Sequence, residues 1–77
     1  MRVKVELQAY LEQYSPNGQT VFDYELSAGA TVHSLIRSLR LPDELASVVI
    51  LNDTNADLSD PLHEDDRITL IPPLAGG

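Results

Sequence analysis

Cysteine is absent from the chain, which excludes a disulfide framework, a zinc ribbon and a thiol nucleophile. Basic residues are scarce: five Lys and Arg stand against twelve Asp and Glu, for a formal net charge of −7. That balance argues against nucleic acid, whose phosphates need Lys and Arg, and against anionic membrane surfaces. It fits partners that present basic surfaces. No apolar run reaches signal-peptide or membrane length, so the chain reads most simply as cytoplasmic. A Gly-rich phosphate loop, a nucleophile–base set, internal repeats, linkers and low-complexity segments are also missing from the sequence. What is present suffices for one small domain spanning 1–77: 77 residues, of which 43% are hydrophobic, lie near the low end of what a single core stabilises.

Arg2 to Ala9 alternates strictly, with Val3, Val5, Leu7 and Ala9 on one face and Arg2, Lys4, Glu6 and Gln8 on the other. This is the pattern of a half-buried strand. Tyr10 to Tyr14 reads as a loop or one loose turn whose aromatics cover the core edge. Ser15-Pro16-Asn17-Gly18 is a strong turn signal, and a second strand follows over about Gln19 to Leu26. Thr31 is a candidate helix N-cap, ahead of Val32, Leu35, Ile36 and Leu39 at one-stripe helical spacing. Pro42 ends that helix near Arg40-Leu41 and opens a short helical turn. Val48 to Leu51 is a wholly apolar strand, buried on both faces or greasy outside for a reason. A turn-rich stretch over Asn52 to Asp57, a short edge over Leu58 to Leu62 and a polar turn over His63 to Asp66 precede a last strand, Arg67 to Ile71, with Ile68 and Leu70 inward. The sum is an α+β domain of four to five strands and one main helix, which can cover one face of the sheet only.

The end of the sequence is distinctive. Pro72 and Pro73 lack amide donors and cannot extend a sheet ladder, so they are expected to lead the chain outward as a stiff stalk. Gly76 and Gly77 carry no side chain and can thread a cleft that larger residues would block. An extended, flexible tail over 72–77 is the expectation.

These stretches resemble the ubiquitin-like β-grasp sulfur carriers, and among them the small subunit of molybdopterin synthase more than the thiamin-pathway carrier. The resemblance lies in Gly29-Ala30-Thr31-Val32 leading to Leu35-Ile36, in Val49-Ile50-Leu51-Asn52, in Pro61-Leu62-His63-Glu64-Asp65-Asp66-Arg67-Ile68, and above all in the end Pro72-Pro73-Leu74-Ala75-Gly76-Gly77. Asp53 and Asp65 stand where that family usually has Gly. Asp tolerates left-handed backbone better than most residues, so the turns are expected to persist.

The resemblance implies a ubiquitin-like β-grasp fold, a mixed sheet with the helix packed on one face. It implies a carrier with no catalytic machinery of its own and no cofactor bound by this chain. The Gly77 carboxylate would be adenylated by an E1-like enzyme using ATP, then converted to a thiocarboxylate by a sulfur donor such as a cysteine desulfurase system. Delivery would be to a biosynthetic acceptor through the large subunit of molybdopterin synthase or an equivalent. Gly77 and Gly76 would be the reacting tip, and Ile71, Pro72, Pro73, Leu74 and Ala75 the partner-binding stalk. Nucleic acid and membrane are not expected partners. Alternative readings are a carrier for thiamin thiazole or tRNA thiolation, a ubiquitin-like modifier of protein lysines, and an interaction domain with an inert tail.

Other chemistry-bearing residues read as structural. His33 and His63 are two solvated histidines, and Glu64-Asp65-Asp66 is a hydrated turn. Asp53, Asn55, Asp57 and Glu64 match positions 1, 3, 5 and 12 of a calcium loop, but Leu58 occupies the place of the required Gly, so no calcium site is expected. One alternate pair of the Val48–Leu51 run and Ile71 are expected to face outward beside the tail, rimmed by carboxylates, as a docking surface.

Overall fold

A computed structural model of the chain describes residues 1–73. Five strands form one sheet: β1 (Arg2–Leu7), β2 (Val21–Glu25), β3 (Val48–Leu51), β4 (Thr54–Asn55) and β5 (Arg67–Ile71). Their order is β2-β1-β5-β3-β4. The first and last strands lie side by side in the centre and run parallel, with Val5 beside Ile68 and Leu7 beside Leu70. All other neighbours are antiparallel. This mixed sheet with one helix, α1 (Val32–Ser38), is the expected β-grasp.

Alternation decides which side of the sheet is core. Val3, Val5 and Leu7 of β1, Phe22 of β2, Val49 of β3, and Ile68 and Leu70 of β5 are buried together with Val32, Leu35, Ile36 and Leu39 of the helical stripe. Burying each such aliphatic side chain contributes roughly 1.5–3 kcal/mol. No buried side-chain nitrogen or oxygen among the described residues lacks a partner. Among the described residues no helix lies against the other face of the sheet.

The helix is bounded as its sequence demands. Thr31 accepts from the Ser34 amide while the Ser34 hydroxyl accepts from the Thr31 amide, closing a capping box with Ser in the place of Glu or Gln. Loop carbonyls supply the rest: Val32 and His33 donate to Asp60 and Leu58. At the far end Arg40 turns left-handed at φ 60°. The Arg40 amide donates to Arg37 and the Leu41 amide to Ile36, which is the Schellman closure. Pro42 precedes a 3₁₀ turn (Asp43–Leu45) as its N-cap, one place earlier than expected.

Four expectations are corrected. β1 stops at Leu7, because Ala9 takes φ 53° and turns the chain into a 3₁₀ helix (Ala9–Tyr14). Leu11, not the aromatics, plugs the core there: it is fully buried, Tyr10 is exposed, and only Tyr14 packs partly against the core. The short edge strand is not at Leu58–Leu62, where only an isolated bridge joins Thr31 to Pro61. It is β4, reached through Asn52 (φ 51°) and Asp53 (φ 70°), the left-handed pair that a two-residue hairpin requires. Lastly, Asp66 is not a hydrated turn residue. Its carboxylate accepts from the His63 amide at 2.7 Å and the Asn52 side-chain amide at 2.9 Å, with the side chain only 12% exposed. Asp65, at φ 68°, holds the left-handed turn expected of it.

Candidate functional site: the root of the tail and the open sheet face

β5 delivers the chain to the site. Ile68 and Leu70 point inward, Thr69 and Ile71 outward, and Pro72 takes the next inward position and is fully buried. This corrects the stalk reading for Pro72. Its missing amide does end the ladder, but the ring continues the inward alternation of the strand instead of standing free for a partner. Pro73 is exposed. Of the residues assigned to partner binding or chemistry, Leu74, Ala75, Gly76 and Gly77 lie outside the described residues.

Ile71 keeps the position expected of it. It stands opposite Val48 in the β3–β5 ladder, with Ile50 opposite Thr69, so Val48, Ile50 and Ile71 share the open face. Val48 is 38% exposed, while Ile50 and Ile71 are half-buried. The apolar run of β3 is thus divided, with Val49 and Leu51 turned to the core and Val48 and Ile50 away from it.

The rest of the face differs from the carboxylate rim expected. Arg2, Lys4 and Arg67 occupy the two central strands, Lys4 and Arg67 as direct register partners. Carboxylates flank them: Glu6 on β1, Asp23 and Glu25 on β2, and Asp53 in the β3–β4 turn, where it meets Arg67 Nη2 at 3.2 Å. That pair is exposed on both sides and contributes little to stability. A shallow cavity of about 250 Å³ lies here, bordered by Lys4, Glu6, Val21, Ile50, Arg67 and Thr69. Three of the five cations therefore gather on one face of an acidic chain. Their strand positions are visible in the sequence, but the pairing of β1 with β5 that joins them is not.

Tyr10 is the residue that sequence reasoning left without a role at the site. Its hydroxyl donates to the Pro73 carbonyl at 3.3 Å, across 63 positions of sequence. No local pattern announces a contact of that span.

The remaining chemistry-bearing groups do not converge. His33 Nε2 faces Asp43 Oδ2 at 3.1 Å, and His63 Nδ1 faces Asp66 Oδ2 at 3.8 Å. Among the described residues no three His, Asp or Glu side chains gather in a metal-holding group. The first amides of α1 already have acceptors, so that helix end is not free to hold a phosphate. No helix among the described residues is long and apolar enough to cross a membrane.

Comparison with known proteins agrees with this geometry. No curated protein matches the sequence. Solved structures do. The small archaeal modifier protein 1 of Haloferax volcanii superposes with a TM-score of 0.75 at 20% identity, over 95% of this chain and 98% of that one. Urm1 from Trypanosoma brucei gives 0.71 at 18% identity, over 99% of this chain and 95% of that one. A chain from the protein–protein complex of subunits 1 and 2 of molybdopterin-converting factor from Helicobacter pylori gives 0.61 at 26% identity, over all of both chains. The model of the ThiS family matches residues 12–77, most of the sequence. The chain belongs to the ThiS family of small ubiquitin-like carrier proteins.

Proposed function

We propose that this protein is a sulfur carrier whose Gly77 carboxylate is converted to a thiocarboxylate and donates sulfur in molybdopterin biosynthesis. A carboxylate is a poor electrophile because its charge is delocalised, so activation must come first. An oxygen of the Gly77 carboxylate attacks the α-phosphorus of ATP on an E1-like enzyme, and pyrophosphate leaves. Hydrosulfide released by the sulfur donor then attacks the acyl carbon, AMP departs with the bridging oxygen, and loss of the S–H proton leaves the thiocarboxylate. Nucleotide and sulfur-donor sites belong to the partners. This chain contributes the fold, the docking face around Val48, Ile50 and Ile71, and the tip.

What supports the reading most is that the family match runs through Gly77. Cysteine is absent from the sequence, so no thiol among these residues competes for that role. The likeness to a chain of the molybdopterin-converting factor complex favours that pathway, with a large-subunit partner. A second reading, isopeptide attachment to lysines of other proteins, is favoured by the likeness to the small archaeal modifier protein and to Urm1. Both readings use the same activated Gly77.

The test is incubation with an E1-like enzyme, ATP and a sulfur source, followed by intact-mass measurement. The carrier reading expects exchange of one oxygen for one sulfur. Lysine-linked adducts of other proteins without that exchange would favour the modifier reading, and an unchanged mass would reject both.

A further inference from the structure

The 3₁₀ helix that follows β1 is built around a strained residue. Ala9 adopts φ 53°, a left-handed conformation uncommon for a residue with a Cβ and kept only where its surroundings impose it. Those surroundings are in place. The Gln8 amide donates to the Leu70 carbonyl at 3.1 Å, the Leu11 amide donates to the Gln8 carbonyl at 3.1 Å, and the Leu11 side chain is fully buried. With Leu11 turned inward, Tyr10 is turned outward beside the end of β5 and is 49% exposed. A ring serving only as cover has no use for a hydroxyl, yet this hydroxyl reaches the Pro73 carbonyl at 3.3 Å. Pro73 follows the ladder, and Pro72 between them is fully buried.

We propose that Tyr10 is a positioning residue for the chemistry at Gly77. The Tyr10 hydroxyl and the buried Pro72 ring hold two consecutive residues, Pro72 and Pro73, and so fix the root from which the tail starts. Ordering supplied in the free protein need not be supplied when a partner's cleft takes the tip. The proposal rests on the carrier reading above.

Tyr10→Phe keeps the ring and deletes the hydroxyl. In thiocarboxylate formation its KM as protein substrate rises roughly two- to tenfold, the range that loss of one intramolecular hydrogen bond commands, while kcat stays at its wild-type value. The carbon-13 shift of the Pro73 carbonyl moves in the isolated protein, reporting the contact without any enzyme. An unchanged Pro73 shift, or an unchanged KM beside a normally reacting wild type, overturns the role of Tyr10 alone. A loss confined to kcat with a lowered Tm also overturns it, since that marks a structural residue. A wild-type chain that forms no thiocarboxylate brings down the carrier reading and this proposal with it.

Discussion

Val48 and Ile71 stand opposite each other in the antiparallel β3–β5 ladder, on the sheet face away from the helix. Directly opposed side chains on one face are within contact reach, so the two form one apolar patch at the point where the chain leaves the sheet. Ile71→Asp is expected to fold normally, because the core side chains of β5 are Ile68 and Leu70. It should weaken binding of the activating enzyme or large subunit by about 2 kcal/mol, the scale of an interface hot spot. Circular dichroism and titration calorimetry together check this. An unfolded variant, or one that binds normally, would show that the face is misassigned.

Arg40 occupies the left-handed position that closes α1, where a Cβ is unfavourable and Gly is the common residue. Arg40→Gly should raise stability by roughly 0.5–1 kcal/mol. Urea denaturation should show a higher midpoint with unchanged slope.

Asp66 binds the His63 amide and the Asn52 side chain through separate carboxylate oxygens, tying the turn before β5 to the β3–β4 hairpin. Asp66→Ala leaves both donors without that partner and should cost about 1–3 kcal/mol. Its neighbour Asp65 makes a useful contrast. With φ at 68°, Asp65→Gly should be neutral or stabilising. Equal losses at the two positions in thermal denaturation would contradict the division of roles drawn between them.

These residues also mark what the sequence displays. The alternation of Val3, Val5 and Leu7 and the stripe of Val32, Leu35, Ile36 and Leu39 are repeats of the local backbone period, so faces and caps can be read along the chain. Leu11 escaped because a six-residue 3₁₀ helix is too short to develop a period. Asp66 was hidden among three acids that differ only in their tertiary partners. Pro72 carries two messages: the missing amide says that the ladder ends, while the place of the ring depends on an alternation that runs one residue further. The basic group on the open face and the Tyr10–Pro73 contact arise from strand order and long-range closure, which no local pattern encodes.

The central claim is that the last residue performs the chemistry. Reacting atoms must approach to within about 3–3.5 Å, and removing one extended residue withdraws the carboxylate by roughly that distance. The measurement is intact mass of wild type and of the chain lacking Gly77, each incubated with the activating enzyme, ATP and a sulfur source. The expected result is exchange of one oxygen for one sulfur in the wild type and none in the deletion, with the two proteins equally stable to denaturation. A deletion that accepts sulfur at the wild-type rate would contradict the account.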